Sequence, residues 1–147
     1  MADARDTAMR LLQAFNAHDD EAVRALCAPN SRLEAPGEVR ILGRDALSGQ
    51  AVVMFNAFPG ARITAQNELV DGPRVIQEFI FEGFHAGPLV GSAGTIPATG
   101  RKITVRGVLV GRYERNLATD LRLYFDRLEV ITQLGLTPEA AGETPAP

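Results

Sequence analysis

The sequence predicts an α+β domain in which N-terminal helices pack on one face of a curved antiparallel sheet. Three observations carry this. Apolar residues recur at helical spacing through the N-terminal part, whereas later stretches alternate apolar and polar. Helices come first and strands afterwards, without the regular interleaving of a parallel α/β fold. A length of 147 residues, with 46% apolar and 22% charged, suits one domain with a substantial core. That single domain is expected to span residues 1–137, followed by a disordered Pro/Ala/Gly/Glu tail over 138–147.

"ARDTAMRLLQAFNAHDDEAVRALCAP" reads as two helices. Ala8, Leu11, Leu12 and Phe15 form the apolar stripe of the first. Asp19 or Asp20 caps a second, which carries Val23, Leu26 and Cys27 and ends at Pro29. "SRLEA" is a short strand candidate, and "GRDALSGQAVVMFNAFPG" a third helix with Asp45 as its candidate cap. "ARITAQNELV" and "RVIQEFIFEGFH" read as a hairpin turning at "DGP". The glycine-rich "AGPLVGSAGTIPATG" is expected to be a long loop. "RKITVRGVLVGRYE" and "ATDLRLYF" then pair around "RNL", before "DRLEVITQLGL" closes the domain. Asp126, at the start of that last piece, is either a pocket acid or a helix cap. Glu129 three residues on favours the cap.

The formal net charge of −3, the absence of Trp and the lack of a basic block argue against nucleic acid as the partner. There is no signal-peptide core and no stretch near the ~20 apolar residues of a membrane span, so a cytoplasmic protein with no membrane partner is expected. Cys27 is the single cysteine and reads as a packing residue. His18 in "NAHDD" has no second histidine near it, so no metal site is expected there and the residue reads as a solvated turn. The Gly-rich loop lacks phosphate-loop spacing.

Five pieces in order resemble the SnoaL-like polyketide cyclase group, within the superfamily of nuclear transport factor two and ketosteroid isomerase. They are Phe58-Pro59, the turn from Gly83 through His85 to Pro88, Pro97 through Arg101, Tyr124 to Asp126, and Gln133-Leu134-Gly135. The resemblance covers roughly residues 5–136 and implies a cone-shaped sheet wrapped around its helices. It implies a pocket for a hydrophobic small molecule, cyclisation or isomerisation of a polyketide-like carbonyl compound, no cofactor, and a homodimer. The fold alone does not imply the chemistry.

The relatives' acids are replaced here. Ala35 stands where the isomerases carry a base, Leu11 where they carry a tyrosine, and Leu109 and Leu123 where acids or a histidine are expected. Phe79 and Phe81 hold the positions of the epoxide hydrolases' Arg and Asp. Alternation places Gln77, Phe79, Phe81 and His85 on one strand face, Leu109 and Tyr113 on another, and Leu123 and Phe125 on a third, all directed inward. The candidate lining is therefore Leu11, Phe15, Phe55, Gln77, Phe79, Phe81, Leu109, Leu123 and Phe125. No inward acid is expected, and Glu34 is expected outside, beside an arginine. His85 is the candidate acid/base and Tyr113 the candidate hydrogen-bond donor. The competing reading of His85 is a pin for the long loop, and that of Tyr113 a rim residue with a wetted hydroxyl. A non-catalytic carrier or sensor of a hydrophobic molecule, or an oligomeric scaffold using an outer sheet face, are the alternatives to an enzyme.

Overall fold

The structure, a computed structural model, describes residues 3–91 and 94–137; the tail 138–147 lies outside them. Helix α1 (Ala4–Asn16) starts at Asp3, whose side chain accepts from the Asp6 N–H. Asp19 caps α2 (Asp20–Ala25) in the same way through Ala22. Then come β1 (Cys27–Ala35), β2 (Val39–Leu42) and α3 (Arg44–Ala57). The strands β3 (Arg62–Asp71), β4 (Arg74–Phe84), β5 (Leu89–Gly91), β6 (Gly94–Ile96), β7 (Lys102–Glu114) and β8 (Leu117–Phe125) lead to α4 (Arg127–Gln133).

Six strands form one sheet in the order β2-β1-β8-β7-β4-β3, and β5 pairs with β6 alone. The hairpins follow their turn residues. Arg115 and Asn116 both have positive φ, so the β7–β8 connection is a tight turn whose twist matches its strands. Register shifts in β3, in β1 against β8 and in β7 against β8 bend the sheet. The helices fill its concave side.

Five local expectations are corrected. Cys27 opens β1 instead of closing α2, and Pro29 sits within the register irregularity between Cys27 and Arg32, where no regular ladder needs its N–H. β2 stands where no strand was expected, and β1 pairs with β8 in parallel, so the sheet is not a pure meander. The Gly-rich stretch expected as loop contains the β5–β6 hairpin. Asp45 does not cap α3. Gly43, at φ 90°, takes that position, and Asp45 pairs with Arg24.

Two side-chain amides replace missing strands. Asn16 both donates to Ile63 O (2.8 Å) and accepts from Ile63 N (2.7 Å), covering the free edge of β3. Gln133 does the same to Thr104, at 2.9 and 2.7 Å, just where β8 has ended beside β7.

Asp126 is a cap: its carboxylate accepts from the Glu129 N–H at 3.1 Å. Glu129 turns its own carboxylate to Gln133 Nε2 (3.1 Å) and so steadies the Thr104 clamp. Asp126→Ala should cost about 1 kcal/mol in chemical denaturation, and Asp126→Asn a few tenths.

Candidate functional site

The pleat of β4, β7 and β8 points Gln77, Leu109 and Leu123 to the concave side as one row, since Gln77 pairs with Leu109 and Leu109 with Leu123. Gln77 and Tyr113 are each 3% exposed, deep for polar side chains. Glu68 pairs with Gln77 and therefore faces the same side. The expectation of no inward acid is thus corrected. The cause is the bulge between Ala65 and Asn67. Simple alternation from Ile63 and Ala65 would turn Leu69 inward; past the bulge Leu69 is 67% exposed and Glu68 is turned in. Its side chain keeps 15% exposure and accepts from Arg5 Nε at 3.1 Å.

Tyr113 folds back over Gly111: a Cβ there would lie 2.4 Å from the Tyr113 hydroxyl oxygen. Only glycine leaves that space. The hydroxyl thus ends one inward step from Gln77, because Gly111 pairs with Val75. Both the Tyr113 hydroxyl and Gln77 Nε2 are buried without a hydrogen-bond partner among the described residues. The expected wetted rim tyrosine is therefore not what the fold contains. Burial, then the nearby Cys27 and Glu68, raise the Tyr113 phenol above its ordinary range, keeping it a neutral donor.

Cys27, in the same apolar cluster, is pushed up by burial from 9.0 to about 11, with the neighbouring Ser31 hydroxyl opposing the shift. The unfolded thiol ionises first as pH rises, so stability present below about pH 9 declines towards pH 11. About 3 kcal/mol should be lost from this thiol across that window, and Cys27→Ala should flatten the profile in denaturant titrations.

His85 stands elsewhere. It is fully buried at the opposite end of β4, roughly 30 Å along the strands from the Tyr113 hydroxyl. Its Nδ1 accepts from the Thr99 N–H (3.2 Å) and lies 3.0 Å from the Thr99 hydroxyl, so the ring proton sits on Nε2. His85 N donates to Arg101 O and Gly100 N to His85 O, both at 2.8 Å. Its ring lies 5.3 Å from that of Phe58, and burial lowers its pKa, keeping it neutral. These are the bonds of a loop pin on Nδ1, while Nε2 is buried without a partner among the described residues; the fold does not bring His85 and Tyr113 onto one small substrate.

The other expected lining residues divide. Leu109 and Leu11 pack half-buried against the cluster around Tyr113, and Phe15, Phe79 and Phe125 against the one around Phe58, where Phe81 is buried. Leu123 is half-buried in the central row. Phe55 instead packs among the helices, edge-on to Phe15 at 5.1 Å. His18, expected in solvent, stacks on Phe55 at 4.5 Å. Glu34 lies in register with Arg40 and Arg122 on the outer face. A concavity of about 580 Å³ is lined by Glu78, Arg106, Val108 and Tyr124 of that face together with Phe79 and Phe125, two of the expected lining residues. Among the described residues, no helix is long and apolar enough to cross a membrane.

This helix-filled sheet, with a mostly apolar inner face and a few buried donors, defines a ketosteroid isomerase-like fold. The pattern of the SnoaL-like polyketide cyclases matches residues 6–134, and the chain belongs to that family. A candidate SnoaL-like polyketide cyclase from Jannaschia sp. CCS1 superposes with a TM-score of 0.80 at 22% identity, over 92% of this chain and 93% of that one. IdmH, a candidate polyketide cyclase from Streptomyces antibioticus, gives 0.74 at 24% identity over 90% and 99%. A ketosteroid isomerase-like protein of Catenulispora acidiphila, crystallised with trimethylamine, gives 0.77 at 17% identity over 95% and 98%. Among curated proteins none matches the sequence.

Proposed function

We propose that this protein binds a small hydrophobic carbonyl compound between α1 and the inner sheet face, and cyclises or isomerises it. The observation that carries this reading is the pair of buried, unpartnered donors, Tyr113 hydroxyl and Gln77 Nε2, one step apart on an apolar wall. A buried donor without an acceptor costs about 1–3 kcal/mol, which a ligand oxygen between the two recovers. Leu11, Leu109 and Leu123 supply the apolar contact, and the family supplies the reaction type. Small apolar ketones should raise the melting temperature, and mass spectrometry of the incubated ketone separates turnover from carriage. No thermal shift from any apolar ketone would contradict the reading.

Carriage without chemistry is the second reading, favoured by Ala35, Leu109 and Leu123 at the relatives' acid positions. A homodimer through the outer sheet face is part of the proposal. Ile76, Ile80, Val108 and Val110 interrupt the charged residues there, and Tyr124 is 53% exposed. Native mass spectrometry reads the oligomeric state and any co-purified ligand together.

A further inference from the structure

We propose that Glu68 is the proton-transfer carboxylate of this site, acting on the α C–H of a small apolar ketone. The proposal rests on the binding reading above and adds the base that the relatives' positions no longer provide.

Glu68 is brought to the inner face by the bulge, in register with Gln77, while Asn67 and Leu69 on either side face out. An edge strand with a plain alternation would have kept this carboxylate in solvent. Arg5 Nε donates to Glu68 Oε2 at 3.1 Å from the first turn of α1, holding the carboxylate between α1 and β3. Arg5 is itself 60% exposed, so the pair contributes orientation more than stability. The three polar groups are then complementary. Tyr113 and Gln77 offer donors without acceptors, whereas Glu68 is an acceptor. Val75, Leu109 and Leu11 around them disfavour a charged ligand and favour an aliphatic or aromatic skeleton.

The step balances within these groups. The α C–H bond breaks and its proton passes to a Glu68 oxygen. The C–H electron pair forms the enolate C=C bond, and the carbonyl π pair moves to oxygen. Tyr113 O–H and Gln77 N–H hold that oxyanion. Returning the proton to a different carbon isomerises the compound. If the enolate carbon instead attacks a second carbonyl, a C–C bond closes a ring, and the new alkoxide takes the proton back from Glu68. No oxidant, metal or co-reactant is needed.

The test uses 2-tetralone, an apolar ketone with acidic α hydrogens, and the full chain in D2O. Proton NMR follows exchange at the α carbon, while thermal denaturation follows binding. Wild type should raise the exchange rate above buffer. Glu68→Gln, nearly isosteric, should lose it by a hundredfold or more. The Tm rise caused by the ketone should be unchanged in that variant. Glu68→Asp, a carboxylate withdrawn by one methylene, should retain part of the exchange. Wild-type exchange in Glu68→Gln, or binding without exchange in wild type, overturns the assignment and leaves the binding reading standing. Absence of any ketone-induced Tm rise in wild type overturns the binding reading itself and the assignment with it.

Discussion

Gly87→Ala is expected to be the most damaging single substitution in the chain, costing about 3 kcal/mol or more in equilibrium denaturation. A Cβ at Gly87 would stand 2.0 Å from Asn56 O, which is backbone and cannot swing aside. The approach is close because Ala86 N and Gly87 N both donate to Ala57 O, at 3.0 and 3.1 Å, closing the end of α3. The same corner holds the pieces by which the family is recognised. Gly83 packs on Ala61, His85 bonds Thr99 and touches Phe58, and Arg101 lies over Gly135. Leu134 is buried with Phe58, and Gln133 grips Thr104. The pieces that carry the resemblance therefore form the clasp of the cone and pack against one another. His85→Gln should weaken the clasp and also change its pH response. Burial lowers the folded His85 pKa below its ordinary 6.5, so the unfolded chain takes up the proton first. Stability is complete above that value and falls as the pH drops through it, less steeply in the variant. A melting series from neutral to acid pH checks both.

Tyr113→Phe is expected to separate stability from function. The hydroxyl has no partner among the described residues, so its removal should leave the free chain within about 1 kcal/mol of wild type, or more stable. Ketone affinity or turnover should fall roughly 10–100-fold, the worth of one buried hydrogen bond to a ligand oxygen or oxyanion. A structural tyrosine would give the reverse, a lower melting temperature with activity retained. Gly111→Ala should resemble a severe form of the same loss, since its Cβ would meet the Tyr113 ring and hydroxyl.

Much of the fold was legible because periodicity is local. The α1 stripe through Ala8 and Leu11, the Asp19 and Asp126 caps, and the Arg115-Asn116 turn all follow from neighbouring residues. The inward set through Gln77 and Tyr113 followed from alternation for the same reason. What escaped was non-local. β2 exists only through its pairing with β1, and the parallel β1–β8 contact joins distant parts of the chain. Glu68 was hidden because a bulge has no compositional mark in "ITAQNEL"; the one available hint was that plain alternation from Ile63 and Ala65 turned the polar Asn67 inward. His85 drew attention as a titratable residue in a motif. Its partner Thr99 lies across a loop, and only the folded chain shows that Nδ1 of the ring is already engaged.

The central claim is that the ligand site lies at the Tyr113–Gln77 end of the sheet and not at the His85 corner. The most direct test is the melting-temperature increment caused by 2-tetralone in wild type, Tyr113→Phe with Gln77→Leu, and His85→Gln. The account predicts equal increments for wild type and His85→Gln, whatever their own melting temperatures, and little or none for the Tyr113→Phe, Gln77→Leu double variant. An increment kept in the double variant and lost in His85→Gln would contradict it.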